Sequence, residues 1–166
     1  RIQKPVVAAI NGDAIGQGLE LALAADIRIS VTTAHFSMPQ VRFGVMPWDG
    51  GTQRLPRLVG RAHALALLLT GAVIDTKEAL RMGLVHRVVE PQKLEAATDD
   101  AAEQIASAAP VAEQYTKETV MKGMDMTMEQ GLHLEADLNI LLHGTDDRAE
   151  GIRSFLDRRP PRFTGE

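Results

Sequence analysis

One carboxylate, Glu20, stands inside the otherwise apolar run of "NGDAIGQGLELALAADIRIS" (residues 11–30), two residues after the last glycine of a Gly-rich turn. Its neighbours Leu19, Leu21, Ala22, Leu23 and Ala24 point to partial desolvation. A partly desolvated carboxylate beside backbone N–H donors suits general acid–base chemistry. The donors are at hand, because Gly16, Gln17 and Gly18 open the helix. Unpaired N–H groups at a helix start, with the helix dipole, stabilise negative charge developing on a carbonyl oxygen. The plainer alternatives stay open at this level: Glu20 as a helix cap, and the glycines as a tight turn that lets strand and helix pack.

The remaining chemistry-bearing residues exclude more than they assign. The turn lacks both Gly-Lys-Ser/Thr and G-x-G-x-x-G, which argues against a nucleotide-triphosphate or dinucleotide site. His35, His63, His86, His133 and His143 form no recognisable metal spacing with carboxylates, so no metal site is expected. There is no G-x-S-x-G nucleophile elbow. Asp49, in "MPWDGG", reads either as a turn aspartate before glycines or as a second carboxylate in a cleft.

These residues need elements to position them. "PVVAAI" (5–10) predicts a short buried strand, "NGDAIGQG" a turn, "LELALAA" a helix and "DIRISV" an alternating second strand. Pro5–Val31 thus reads as strand, Gly-rich turn, helix, strand, the pattern of a parallel crossover. "AHFSMP" adds a short strand before the irregular "FGVMPWDGGTQRL". Helix is expected from Arg61 to Gly71, then over "DTKEALRMG", with "LVHRVV" as a strand. Four helices follow, near 92–108, 110–123, 127–143 and 146–158; Thr127 with Gln130 and Asp147 with Glu150 have capping-box spacing. Strands first and helices last give an α/β body with a helical C-terminal layer.

Bulk properties set the class. The 166 residues are 45% hydrophobic and 24% charged, ordinary for a globular protein. Cysteine is absent, which removes disulfides and thiolate metal sites and fits a cytoplasmic setting. No apolar run approaches the ~18 residues of a membrane span and no signal-peptide core is present, so no membrane partner is expected. A net charge of −4 and a single Trp and Tyr disfavour nucleic acid. Arg153, Arg158, Arg159 and Arg162 cluster near the end, as a solvated helix terminus or a local phosphate site. The sequence opens at Arg1 without Met, one step from a strand, and is expected to be the inside of a larger protein.

The segments "KPVVAAINGDAIGQGLELALAADIRI", "AHFSMPQVRFGVMPWDGGTQRLPRLVG", "LLLTGAVIDTKEALRMGLVHRVV" and "DDRAEGIRSFLDRRPPRF", in this order, resemble the crotonase superfamily, the enoyl-CoA hydratase/isomerase family. The resemblance covers essentially the whole chain. It implies a crotonase-like ββα spiral core, with residues 1–90 as the C-terminal part of that core. Residues 91–166 would be a helical trimerisation and CoA-covering region. It further implies acyl-CoA thioester substrates, no cofactor beyond the CoA of the substrate, and a homotrimer or dimer of trimers.

Residue by residue, the resemblance implies that the Gln17 N–H is one of two oxyanion donors, flanked by Gly16 and Gly18, and that Glu20 is the first catalytic glutamate. The second catalytic glutamate of the hydratases is replaced by Gln40, in "MPQVRFG". An amide can hold water but cannot exchange protons as a carboxyl group does. Asp49 is the candidate to supply that function, and Trp48 to shape the acyl pocket. Phe155 and Arg158, with Phe163 as a further candidate, match positions near the CoA adenine and phosphates. The segment carrying the family's other oxyanion donor has no match in residues 1–166. The leading expectation is an enoyl-CoA hydratase. The alternatives are an enoyl-CoA isomerase, a cyclic β-keto acyl-CoA hydrolase, or a non-catalytic acyl-CoA-binding relative.

Overall fold

A computed structural model describes residues 2–166, which form two compact units: residues 6–101, and residues 102–166 together with 2–5. The first unit runs β1 (Val7–Ile10), β2 (Ala14–Ile15), α1 (Gln17–Ala22), β3 (Ile27–Val31), β4 (His35–Ser37), a 3₁₀ turn Pro39–Phe43, α2 (Gly51–Thr70), β5 (Val73–Asp75), α3 (Thr76–Arg81) and β6 (Arg87–Val89). The chain passes into the second unit within α4 (Leu94–Ala106), and continues as α5 (Pro110–Gly123), α6 (Met128–Leu142) and α7 (Asp146–Asp157).

Two small sheets organise the first unit. β3 lies between β1 and β6, parallel to both, with Val7 opposite Ile27 and Val31 opposite Val89. This is the parallel pairing expected across the Gly-rich turn and α1. The second sheet, β2–β4–β5, has β2 parallel and β5 antiparallel to β4. Two of its strands escape sequence reading: β2 hides inside the "turn" and β5 begins two residues after Gly71. Strands of two or three residues are too short to show a period.

The first unit carries a continuous apolar core that includes Leu19, Phe36, Met38, Leu55, Leu84 and Val85. β3 departs from the alternation its sequence suggests, since Arg28, Ile29, Ser30 and Val31 are all buried. A central parallel strand covered on both faces has no solvent side. Arg28 is accommodated because its Nε donates to Leu84 O at 2.7 Å and its Nη1 to Ala25 O at 2.6 Å. Burial lowers the pKa of its guanidinium, and nearby Asp26 opposes that shift.

Helix boundaries from α3 onward fall close to the expected positions, and corrections are needed at the N-termini of α2 and α7. α2 begins at Gly51, not Arg61; Gly60, at φ 78° and ψ 159°, breaks it into two helical stretches. The expected Gly71 cap is present, left-handed, with its N–H bonded to Leu67 O at 2.9 Å. Thr127 and Gln130 form the expected capping box. Asp147 and Glu150 do not: Thr145 caps α7 by accepting from the Arg148 N–H. Asp147 is instead buried, and its carboxylate accepts the Thr164 and Gly165 N–H groups at 2.7 and 2.9 Å.

Candidate functional site

Glu20 is 1% exposed, although it lies in the first turn of a six-residue helix. It does not cap its own helix. Its Oε1 accepts the Gly51 N–H at 2.7 Å and the Asp49 N–H at 3.0 Å, at the start of α2. Its Oε2 accepts the Gln40 Nε2–H at 3.2 Å. The buried charge is thus compensated by three N–H donors and by the positive end of a helix dipole. A carboxylate offers roughly four acceptor positions. With three filled, one on Oε2 is left to take a proton.

Gly51 has to be glycine for this arrangement. A Cβ there would come within 2.9 Å of Glu20 Oε1 and 3.1 Å of its Cγ. Gly50, the preceding residue, is left-handed at φ 98° and ψ 6°. A left-handed residue between two others turns the flanking N–H groups toward one side, which makes a concave anion cradle. The "DGG" of the loop therefore encodes the holder of Glu20, and two adjacent glycines before a helical pattern were its sequence signal.

Gln40 follows Met38–Pro39 at the exit of β4 and is 8% exposed. While its Nε2 faces Glu20, its Oε1 has no hydrogen-bond partner. The carboxylate fixes that orientation, since the flipped amide would set oxygen against oxygen. Buried polar atoms without partners are rare and need a reason. Gly16, at φ 57°, lies close by; a Cβ on it would meet the Gln40 amide at 3.7 Å.

The Gln17 N–H comes directly after Gly16. The Gly16 N–H is used by Ser37 O at 2.9 Å, and the first α-helical bond runs from Glu20 N–H to Gly16 O at 3.0 Å. The N–H groups of Gln17, Gly18 and Leu19 precede that bond and so have no helical acceptor of their own. The Gln17 side chain donates to Asp49 Oδ2 at 3.3 Å. Gln17, Asp49, Glu20 and Gln40 therefore form one hydrogen-bonded series. Trp48, next to Asp49, is 63% exposed.

Phe155 and Arg158 belong to the second unit. Phe155 is exposed on α7, and Arg158 ends that helix in a left-handed conformation at φ 53°. Arg159 is engaged by Glu150, with Nη1–Oε1 at 2.6 Å and Nη2–Oε2 at 2.9 Å. That pairing, with the Arg162 N–H, holds the Glu150 carboxyl down to about 2. Cavities of about 890 and 340 Å³ lie along α7 and its tail, and neither is lined by Glu20. Among the described residues no cluster of three His, Cys, Asp or Glu could hold a metal, and no helix is long and apolar enough to cross a membrane.

The first unit thus sets a buried carboxylate, cradled by main-chain N–H groups, beside a buried amide and a glycine-opened helix start on an α/β scaffold, an arrangement chemically suited to proton transfer. The chain matches the Enoyl-CoA hydratase/isomerase family over residues 1–166 and belongs to it. It is 46% identical over 165 residues to the (E)-benzylidenesuccinyl-CoA hydratase of Thauera aromatica, covering 99% of this chain and 64% of that protein. It is 42% identical to the crotonyl-CoA hydratase of Syntrophomonas wolfei, covering 98% and 62%. The crystal structure of an enoyl-CoA hydratase from Bacillus anthracis superimposes with a TM-score of 0.98 at 40% identity, covering 100% of this chain and 64% of that one. The fold is the crotonase fold, and the chain spans somewhat less than two thirds of the length of these proteins.

Proposed function

We propose that the protein is an enoyl-CoA hydratase, adding water across the double bond of a 2-enoyl-CoA thioester. The observation that carries this reading is the orphaned Gln40 Oε1 next to the open position of Glu20 Oε2. A water molecule has two protons to donate. One would go to the amide oxygen of Gln40, which only accepts, and the other to Glu20, which can take it. The water oxygen then bonds to the β-carbon as the C=C π electrons move to the thioester carbonyl. The resulting enolate oxygen is stabilised by the Gln17 N–H, and protonation of the α-carbon completes the addition. Glu20 gives the proton it took to the α-carbon, so the one proton lost by the water is the one gained by the product. Asp49, hydrogen-bonded to the Gln17 side chain, is the alternative donor for that single proton, with Glu20 then releasing its own to solvent. Sequence similarity to two relatives named as CoA-ester hydratases supports the same reading.

A second reading has its own observation. Glu20 is the one buried carboxylate in the hydrogen-bonded series, and a 1,3-proton shift needs only one, so an enoyl-CoA isomerase is the runner-up. Mass spectrometry of products from 2-enoyl-CoA esters in deuterated water separates the two. A product carrying one added water supports hydration. Deuterium uptake without added water favours the isomerase.

Partners are part of the proposal. Apolar side chains on α5–α7, among them Val120, Met128, Ile140, Phe155 and Leu156, are exposed, which supports self-association; the homotrimer or dimer of trimers follows from the family resemblance. Contacts of Phe155 and Arg158 with the CoA moiety follow from the family resemblance. An Arg158→Ala variant is expected to raise KM for CoA esters while leaving a short non-CoA thioester unaffected.

A further inference from the structure

We infer that Arg54 is a positioning residue for Glu20, acting through the main chain of Asp49–Gly51; the inference rests on Glu20 being the proton-transferring group. Glu20 Oε1 is gripped by two N–H groups that converge only while Gly50 keeps its left-handed conformation. Glycine permits that conformation without enforcing it, because it populates both signs of φ readily. Something else has to select it.

Arg54 does so from within the helix that the loop enters. Its Nη1 donates to Asp49 O at 2.6 Å, across the peptide that joins Asp49 to Gly50. Its guanidinium lies against the bare Cα of Gly50: a Cβ there would fall 2.3 Å from Nη1 and 2.9 Å from Cζ. Glycine at position 50 is required for its φ, and its bare Cα also lets the guanidinium lie where it reaches the Asp49 carbonyl. With the Asp49 carbonyl pinned outward to Arg54, the N–H groups on either side face Glu20.

The electrostatics make the placement informative. A cation in the first turns of a helix is at the unfavourable end of the dipole. Arg54, four residues past Gly50, accepts that cost, and it is exposed, so packing does not explain it. Its short bond to the Asp49 carbonyl does. The buried anion beneath the same helix start offsets the charge.

The test is steady-state kinetics with a short-chain 2-enoyl-CoA on the natural full-length protein, comparing Arg54→Ala, Arg54→Lys and Glu20→Gln. Arg54→Ala should lower kcat by about tenfold to a hundredfold, the scale of sub-ångström to ångström misplacement of a reacting group. KM should stay within about twofold, because no substrate contact is removed. Arg54→Lys, which keeps one donor, should fall between wild type and Arg54→Ala. Added guanidinium should restore kcat to Arg54→Ala and do nothing for Glu20→Gln. An unchanged kcat in Arg54→Ala, with Glu20→Gln inactive, overturns the positioning role alone. The same holds for a kcat loss in both Arg54 variants that guanidinium does not rescue. Turnover persisting in Glu20→Gln overturns the underlying assignment of Glu20.

Discussion

Replacing Gly51 by alanine tests how tightly the carboxylate must be held. The added Cβ would stand 2.9 Å from Glu20 Oε1, 3.1 Å from Glu20 Cγ and 3.0 Å from Pro47 Cβ, where ordinary contact begins at 3.4 Å. Pro47 is buried and ring-constrained, so the glutamate gives way, by about half an ångström. That retreat takes the Gly51 N–H bond from 2.7 Å to the edge of useful hydrogen-bond length. Losing one charge-assisted bond costs about 1.5–3 kcal/mol. At about 1.4 kcal/mol per decade, the correctly placed carboxylate becomes roughly 10- to 150-fold rarer. kcat for a short-chain 2-enoyl-CoA, followed by loss of the conjugated thioester absorbance, should fall by that factor with KM little changed. Stability should fall by about 0.5–2 kcal/mol, because the roughly 1 kcal/mol of helix propensity that alanine gains over glycine offsets only part of the lost bond. A variant with wild-type kcat would refute the argument that these N–H groups set the position of Glu20.

Three further outcomes follow from the same geometry. Gln40→Met, of similar volume, removes the orphan acceptor and should cut hydration by about tenfold or more, while α-carbon deuterium exchange, read by mass spectrometry, falls far less; equal losses would contradict a water-holding role. Asp147→Ala strips two main-chain N–H groups of a buried acceptor, a loss of about 3 kcal/mol, and should lower Tm by about 6–12 °C in thermal denaturation; a shift under about 2 °C would contradict it. Glu150, depressed to about 2 from 4.5 by its bonds to Arg159 and Arg162, stabilises the folded tail fully above pH 4.5 and progressively less as pH falls toward 2. The Arg162 amide resonance of the folded protein should titrate with a midpoint near pH 2, and Glu150→Gln should abolish the titration.

Legibility in the sequence followed length and locality. The β1–α1–β3 crossover and the helices from α4 onward were readable because each carries its own apolar pattern or cap. β2 and β5 were not, being defined by their pairing to β4 and not by any local period. The start of α2 was masked by Gly50–Gly51 and Pro56, residues that read as breakers although the glycines serve the cradle and the helix tolerates the proline. Glu20 was visible as an oddity, but its partners were not: Asp49, Gly51 and Gln40 lie 20 to 31 residues away. Gln40 came from family resemblance; Asp49 was noticed from its place before two glycines, and only the resemblance suggested a catalytic role for it. Arg28 was missed because a polar residue in an alternating strand looks solvent-facing until both faces are covered. Asp147 was misread for a simpler reason, that its capping-box spacing describes a helix start two residues past the real one, where Thr145 takes the cap.

The most direct test of the central claim is turnover of a 2-enoyl-CoA panel by the natural full-length protein with Glu20→Gln beside it. The substitution keeps shape and volume while removing the group that takes the proton. Hydrated product from wild type, with the variant still binding CoA esters but slowed by orders of magnitude, is the expected result. Wild-type rates of hydration in Glu20→Gln would contradict the account, whatever the hydrogen bonds around that carboxylate.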